Sequence, residues 1–134
     1  MRLLLDTHVF LWLLAAPERL GDDLPTVEDS GNELLVSAAT SWEIVIKHGL
    51  GKLALPEPPS RYLPDRIRRI GAVPVAVEHS HALAVGALPR LHRDPFDRLL
   101  VAQAGVLGAT VVTADPAVAQ YPVDSLLVGG AAGS

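Results

Sequence analysis

The stretch Leu3-Leu4-Leu5-Asp6-Thr7-His8 joins a short, uninterrupted apolar run to an acid at its end. An apolar run that does not alternate with polar residues is typical of a strand covered on both faces, as in a parallel sheet between helices. Similar runs occur at residues 34–37, 73–77 and 110–113, with a candidate fifth strand at 125–128. These runs predict a sheet of four or five buried strands.

Helical patterns occupy the intervals between these strands, at about residues 9–15, 39–48, 64–70, 78–88 and 95–107. Gly49, Gly71 and Gly108 stand where such helices should end. The proline-rich stretch 53–59 is predicted to be a rigid loop or an extended connector. Strands that alternate with helices indicate an α/β fold, with a mostly parallel sheet sandwiched between helices.

Length and composition suit one globular domain. The chain has 134 residues, of which 49% are hydrophobic. We expect the domain to span residues 1–129 and the glycine-rich residues 130–134 to form a flexible tail. The absence of cysteine excludes disulfides and thiolate metal sites. No apolar run approaches the roughly 20 residues needed to cross a bilayer, so we expect a soluble, cytoplasmic protein with no membrane partner.

The formal net charge of −4 at pH 7 by itself disfavours nucleic-acid binding. Five of the fifteen acids, however, are candidates for a single site. The remaining ten acids stand against eleven Lys and Arg residues, which leaves the rest of the chain at +1. The location of the charge is therefore more informative than its sum.

Four separate segments deliver acids to the same edge of the predicted sheet. Asp6 directly follows the first strand and Asp115 follows the strand that ends near Thr113. Both positions lie at the carboxyl edge, where parallel α/β sheets bind ligands. Glu43 falls in the first turns of the helix that leaves this edge. The helix that begins at Pro95 must start at this carboxyl edge in order to lead into the next strand. Asp94 and Asp97, at the start of that helix, should therefore lie at the same edge.

Clustered carboxylates repel one another by about 1 kcal/mol per pair at 4 Å in water and about 4 kcal/mol at an effective dielectric of 20. Such a cluster must take up protons or bind a cation. Mg²⁺ and Mn²⁺ prefer oxygen ligands and can activate water and neutralise phosphate charge. The sequence therefore predicts a metal site with Asp6 and Asp97 as ligands, and with Glu43, Asp94 and Asp115 as additional or water-mediated ligands.

Each acid also has a structural interpretation. Asp94-Pro95-Phe96-Asp97 has the pattern of a helix start, with an Asp cap and Pro at the first position. Asp6 and Asp115 could cap helices in the same way, and Glu43 could be a solvated helix residue. Among the basic residues, Arg93 and Arg98 flank the acids and are candidate RNA contacts. The five histidines show no metal-ligand spacing, so surface or packing roles are expected for them.

Four blocks in the chain resemble the PIN-domain ribonuclease toxins of the VapC type, which belong to type II toxin–antitoxin systems. Asp6 and Glu43 lie in the first two blocks, and the third and fourth contain the remaining acids. The blocks are Leu3-Leu4-Leu5-Asp6-Thr7-His8, Ser41-Trp42-Glu43-Ile44, His92-Arg93-Asp94-Pro95-Phe96-Asp97-Arg98-Leu99-Leu100 and Val112-Thr113-Ala114-Asp115.

The resemblance implies a PIN-like fold and an Mg²⁺- or Mn²⁺-dependent endoribonuclease. It also implies a cognate antitoxin protein, an RNA substrate and a homodimer. By position, Asp6, Glu43, Asp97 and Asp115 match the four acids of the family. Asp94 is an added acid that is typical of the Asp-Pro-Phe-Asp-Arg branch of this family. It could serve as a ligand, as a helix cap or as a group that positions water. Thr7 and Thr113 match supporting hydroxyl positions.

Two other functions compete with this interpretation. A magnesium-dependent phosphatase of the haloacid-dehalogenase type also places an Asp after the first strand, but its second Asp would fall at His8. A non-catalytic receiver module would need an acceptor Asp after the third strand, where the chain has Val77-Glu78. A purely structural α/β protein would not require five acids at one edge.

Overall fold

The computed structural model describes residues 1–129, so the predicted tail at 130–134 lies outside the described residues. Five strands form one sheet in the order β3-β2-β1-β4-β5, and every neighbouring pair is parallel. This confirms the predicted α/β class and the parallel sheet. The strands are β1 (Arg2–Leu5), β2 (Glu33–Ser37), β3 (Val73–Val75), β4 (Thr110–Thr113) and β5 (Ser125–Leu127).

Within residues 1–129, six α-helices connect or flank the strands, together with three short 3-10 helices at Pro17–Asp23, Val85–Ala87 and Val118–Gln120. No described helix is long and apolar enough to cross a membrane. The α-helices are α1 (Thr7–Ala15), α2 (Leu24–Glu28), α3 (Ala38–Gly49), α4 (Pro59–Arg69), α5 (His79–Ala84) and α6 (Pro95–Leu107).

Both faces of the sheet are buried, which explains why the strands are continuously apolar. Leu3 and Leu5 of β1 point into a core that includes Phe10 of α1 and Leu63 of α4. Leu4, between them, points into the opposite core, which α6 closes with Leu100, Val101 and Ala104. Successive strand residues face opposite sides, so each strand supplies side chains to both cores.

The structure corrects the start of one predicted helix. Pro64 was expected at the first position of a helix, but α4 begins at Pro59 and carries Pro64 inside it. The internal proline removes one backbone hydrogen bond. The burial of Tyr62, Leu63 and Ile67 along one face offsets this loss.

The segment between β1 and β2 also departs from the prediction, because Pro17–Asp23 and Leu24–Glu28 are helical. No helical periodicity shows there, since Gly21 interrupts it with a φ of 55°. Helix ends follow the glycine rule at Gly71 and Gly108, with φ of 70° and 65°. Gly49 remains the last residue of α3, and the positive φ of 73° occurs at Gly51.

Candidate metal centre

Asp6 lies where β1 passes into α1 and has a buried side chain. One carboxylate oxygen caps α1 by accepting a hydrogen bond from the Val9 N–H at 2.8 Å. The pairing of Leu5 with Val112 brings β4 alongside, and the Thr113 side chain lowers the pKa of Asp6. Burial nevertheless raises the pKa of Asp6, and the neighbouring charge of Asp115 raises it further. Asp6 is therefore both a helix cap and a member of an acidic cluster.

The first turn of α6 holds the next two acids. Asp94 caps the helix through one oxygen, which accepts hydrogen bonds from the N–H groups of Phe96 at 2.8 Å and Asp97 at 3.1 Å. Burial and the charges of Asp94 and Asp6 raise the pKa of Asp97 to about 6, against the lowering effect of His92. Capping and membership of the cluster coexist at Asp94, as the sequence allowed.

Glu43 is buried in α3, and both of its carboxylate oxygens accept hydrogen bonds. Its Oε1 accepts a hydrogen bond from the Thr7 hydroxyl at 2.6 Å. Its Oε2 accepts one from Lys47 Nζ, also at 2.6 Å. The bond to Glu43 raises the pKa of Lys47, and the charges of Asp94 and Asp97 add to this effect. Lys47 therefore supplies positive charge to the edge that gathers the acids.

Asp115, which follows the end of β4, is the fifth acid at this edge. It lies close to His92, for which the sequence predicts a packing or surface role. His92 Nε2 lies 2.9 Å from Asp97 Oδ2 and 3.5 Å from Asp115 Oδ2. Together these three side chains place one donor atom each within 4.8 Å of one another. The imidazole therefore stands inside the candidate site.

The five acids predicted from sequence lie at the carboxyl edge, on the elements expected for them. Four of them are close enough to interact, because the charge of Asp115 raises the pKa of Asp6 and the charges of Asp94 and Asp6 raise the pKa of Asp97. Glu43 joins them through Lys47, which responds to Asp94 and Asp97 as well. The sequence analysis missed Lys47 and His92 as site residues. The four-residue spacing from Glu43 could have identified Lys47, whereas no spacing signal identifies His92.

A cleft of about 880 Å³ opens beside the cluster and is lined by Arg90, Leu91, His92, Arg93 and Arg98. Arg98 is held by the protein itself, because its Nη1 donates to the Pro89 carbonyl at 2.9 Å and to the Tyr121 hydroxyl at 3.2 Å. Arg93 is exposed, and its guanidinium has no ion-pair partner within residues 1–129. Positive charge thus lies against the acidic edge.

The chemistry of these donors fits a hard divalent cation. Carboxylate oxygens are the ligands that Mg²⁺ and Mn²⁺ prefer. Burial first, and neighbouring acids second, raise the pKa values of Asp6 and Asp97. A bound cation would favour the charged form of both carboxylates.

Comparison with known proteins places the chain in a family. The model of the PIN domain matches residues 3–123. Ribonuclease VapC22 of Mycobacterium tuberculosis is 30% identical over 115 residues, which cover 84% of this chain and 85% of that protein. Ribonuclease VapC16 of the same organism is 46% identical over 66 residues, but the match spans only 49% of this chain and 47% of that relative.

Solved structures agree on the fold. VapBC2 from Rickettsia felis, bound to a DNA fragment from its promoter, matches with a TM-score of 0.73 at 18% identity, covering 96% of this chain and 99% of that one. DNA-bound VapBC from Salmonella typhimurium matches with a TM-score of 0.69 at 18% identity, covering 94% and 97%. The family match extends over nearly all of the described residues and includes all five acids. The chain therefore belongs to the PIN domain family.

Proposed function

We propose that this protein is a metal-dependent endoribonuclease that cleaves RNA phosphodiester bonds and acts as the toxin of a toxin–antitoxin pair. The observation that carries the proposal is the group of buried and half-buried carboxylates at one sheet edge, where burial and the charges of Asp94 and Asp6 raise the pKa of Asp97 to about 6. Membership of the PIN family and relatives named ribonucleases support it. Residues 1–129 would form the single nuclease domain.

Asp6 and Asp97 would hold the ion, which we propose to be Mg²⁺ or Mn²⁺. Asp94, Asp115 and Glu43 would act as additional or water-mediated ligands. When bound, such an ion lowers the pKa of water and neutralises charge on a phosphate. The chain's own residues prepare the site. Thr7 and Lys47 fix Glu43 at 2.6 Å each, and the Val9 N–H holds one oxygen of Asp6.

Substrate class separates this function from the phosphatase and receiver alternatives, which the family match does not support. We expect the purified protein with Mn²⁺ to cut single-stranded RNA internally and to leave p-nitrophenyl phosphate intact. The physical reason is that the cleft beside the acids is lined by arginines, which can contact several backbone phosphates of an RNA but only one group of a small phosphomonoester. Release of p-nitrophenol together with intact RNA would contradict the proposal.

The partner of the toxin is a cognate antitoxin, as in the VapBC complexes that share the fold. The molecule offers an apolar surface for a protein partner, because Trp42, Val45 and Leu50 expose 61%, 49% and 64% of their surface along α3. Trp42 also packs edge-on against Phe96, with ring centroids 5.3 Å apart. Its position suits a role at a protein interface, and the homodimer stays a prediction.

The two arginines beside the site are proposed to contribute unequally to RNA binding. Arg93 is exposed, whereas Arg98 is tied to Pro89 and Tyr121. Phosphate contacts supply affinity and salt dependence but little sequence choice. Arg93→Ala should therefore weaken binding of all RNAs alike by a few-fold and reduce the slope of log K against log salt by about 1.

Arg98→Ala is the matched comparison, measured by fluorescence anisotropy over the same salt series. We expect it to lower the melting temperature through loss of its carbonyl and hydroxyl partners, with a smaller change in the salt slope. If Arg93→Ala binds RNA as the wild type does at every salt concentration, Arg93 is not a phosphate contact.

A further inference from the structure

His92 occupies a position that admits two different roles. Its Nε2 is 2.9 Å from Asp97 Oδ2 and 3.5 Å from Asp115 Oδ2. These separations fit a donor that hydrogen-bonds to Asp97 and lies in charge contact with Asp115. They also fit an imidazole and carboxylates grouped around one metal ion. The distances at Nε2 therefore do not distinguish a donor from a ligand.

The other ring nitrogen distinguishes them. The backbone N–H of Arg93 points at His92 Nδ1 and donates to it at 3.0 Å. Nδ1 is consequently an acceptor and carries no proton, so the proton of the neutral ring lies on Nε2. A histidine that binds metal through Nε2 carries its proton on Nδ1 and donates it to a carboxylate, a carbonyl or water. In this protein the Arg93 N–H, a donor, lies against Nδ1, where a metal-binding histidine would have an acceptor.

We propose that His92 is a positioning residue of the metal centre, a donor that orients Asp97 through Nε2–H and is not itself a ligand. This inference rests on the proposed metal-dependent function. The Arg93 N–H fixes the ring orientation from behind, and the loop that leads into α6 carries both residues. Because the imidazole only donates, the ligand set stays entirely oxygen, which favours Mg²⁺ and Mn²⁺ over Zn²⁺.

The experiment is pulsed electron paramagnetic resonance of the full chain loaded with Mn²⁺, combined with Mn²⁺ titrations of His92→Gln and His92→Ala. The wild type should show no coupling to a coordinated imidazole nitrogen. His92→Ala should bind Mn²⁺ about tenfold more weakly, as for other groups that orient ligands. His92→Gln should stay close to wild type, because its amide N–H can donate to the same carboxylate. The exposed His79 provides a control as His79→Ala, with no expected change.

A nitrogen coupling that is present in the wild type and lost in His92→Ala would overturn the proposal, because His92 would then be a ligand. Affinity in His92→Gln as weak as in His92→Ala would overturn it as well. If His92→Ala fails to fold, the wild-type spectrum and His92→Gln still decide between donor and ligand. A wild-type protein that binds no Mn²⁺ would refute the metal centre itself, and this inference with it.

Discussion

Asp97→Asn should abolish RNA cleavage and at the same time stabilise the metal-free fold. The side chain lies in the first turn of α6, among Asp94, Asp6 and His92. If Asp97 holds the ion as proposed, its loss removes several kcal/mol of charge stabilisation at the reacting phosphate. At about 1.4 kcal/mol per factor of ten, the rate should fall about a thousand-fold or more. Single-turnover cleavage of a labelled RNA measures this effect.

The gain in stability follows from the pKa of Asp97, which is about 6 in the folded protein against 3.8 for the ordinary side chain. The folded state holds the carboxyl proton of Asp97 more tightly than the unfolded state does. Protonated Asp97 therefore contributes to the stability of the fold below pH 4, and this contribution is lost as the pH rises through 6. A difference of about two pKa units sets an upper bound of about 3 kcal/mol, and solvent screening at this partly exposed side chain reduces it to roughly 1–2 kcal/mol. Asn cannot ionise, so at pH 7.5 the Asp97→Asn protein should melt a few degrees higher than the wild type. At pH 4 the two proteins should melt at the same temperature.

Two substitutions serve as controls for this result. Asp22→Asn changes an exposed acid distant in sequence from the cluster and should alter neither property. Asp94→Asn keeps the cap of α6, since Asn caps helices about as well as Asp, and so tests the charge at that position separately. Wild-type cleavage by Asp97→Asn would show that Asp97 has only a structural role. A lower melting temperature at pH 7.5 would contradict the stability prediction drawn from its raised pKa.

Removal of divalent metal should have an effect of the same size. With EDTA in excess, cleavage of RNA should fall below detection, and Mg²⁺ or Mn²⁺ should restore it. The reason is that the chain offers carboxylates but no cysteine for this chemistry. Lys47 is engaged with Glu43 and Arg98 with backbone carbonyls, so both are less free than a bound metal ion would be to neutralise the reacting phosphate. Full activity in chelator would refute the metal-dependent mechanism.

Binding of the metal ion can be measured without an assay of RNA cleavage. An ion at 100 times its dissociation constant stabilises the native state by about 2.7 kcal/mol, so Mn²⁺ should raise the melting temperature of the wild type. Asp97→Asn should lose most of this increase, while Asp22→Asn keeps it. An equal increase in both variants would place the ion away from Asp97.

The sequence determined the sheet and the positions of the acids along it. Runs such as Leu3–Leu5 had to be buried on both faces, and parallel strands bring their carboxyl ends to one edge. Asp6, Asp94, Asp97 and Asp115 follow from that rule because each stands at the end of a strand or the start of a helix. Local propensity and topology agree at these residues.

Only the tertiary structure decided which side chains meet the acids. His92 reaches Asp97 and Asp115 because the loop before α6 turns back over the edge, and the path of a loop depends on long-range packing. Arg98, one residue after Asp97, turns instead toward Pro89 and Tyr121. The buried start of α4 before Pro64 likewise depended on the core into which Tyr62, Leu63 and Ile67 pack. In each case the direction of a side chain or loop is set by partners distant in sequence, which no local pattern encodes.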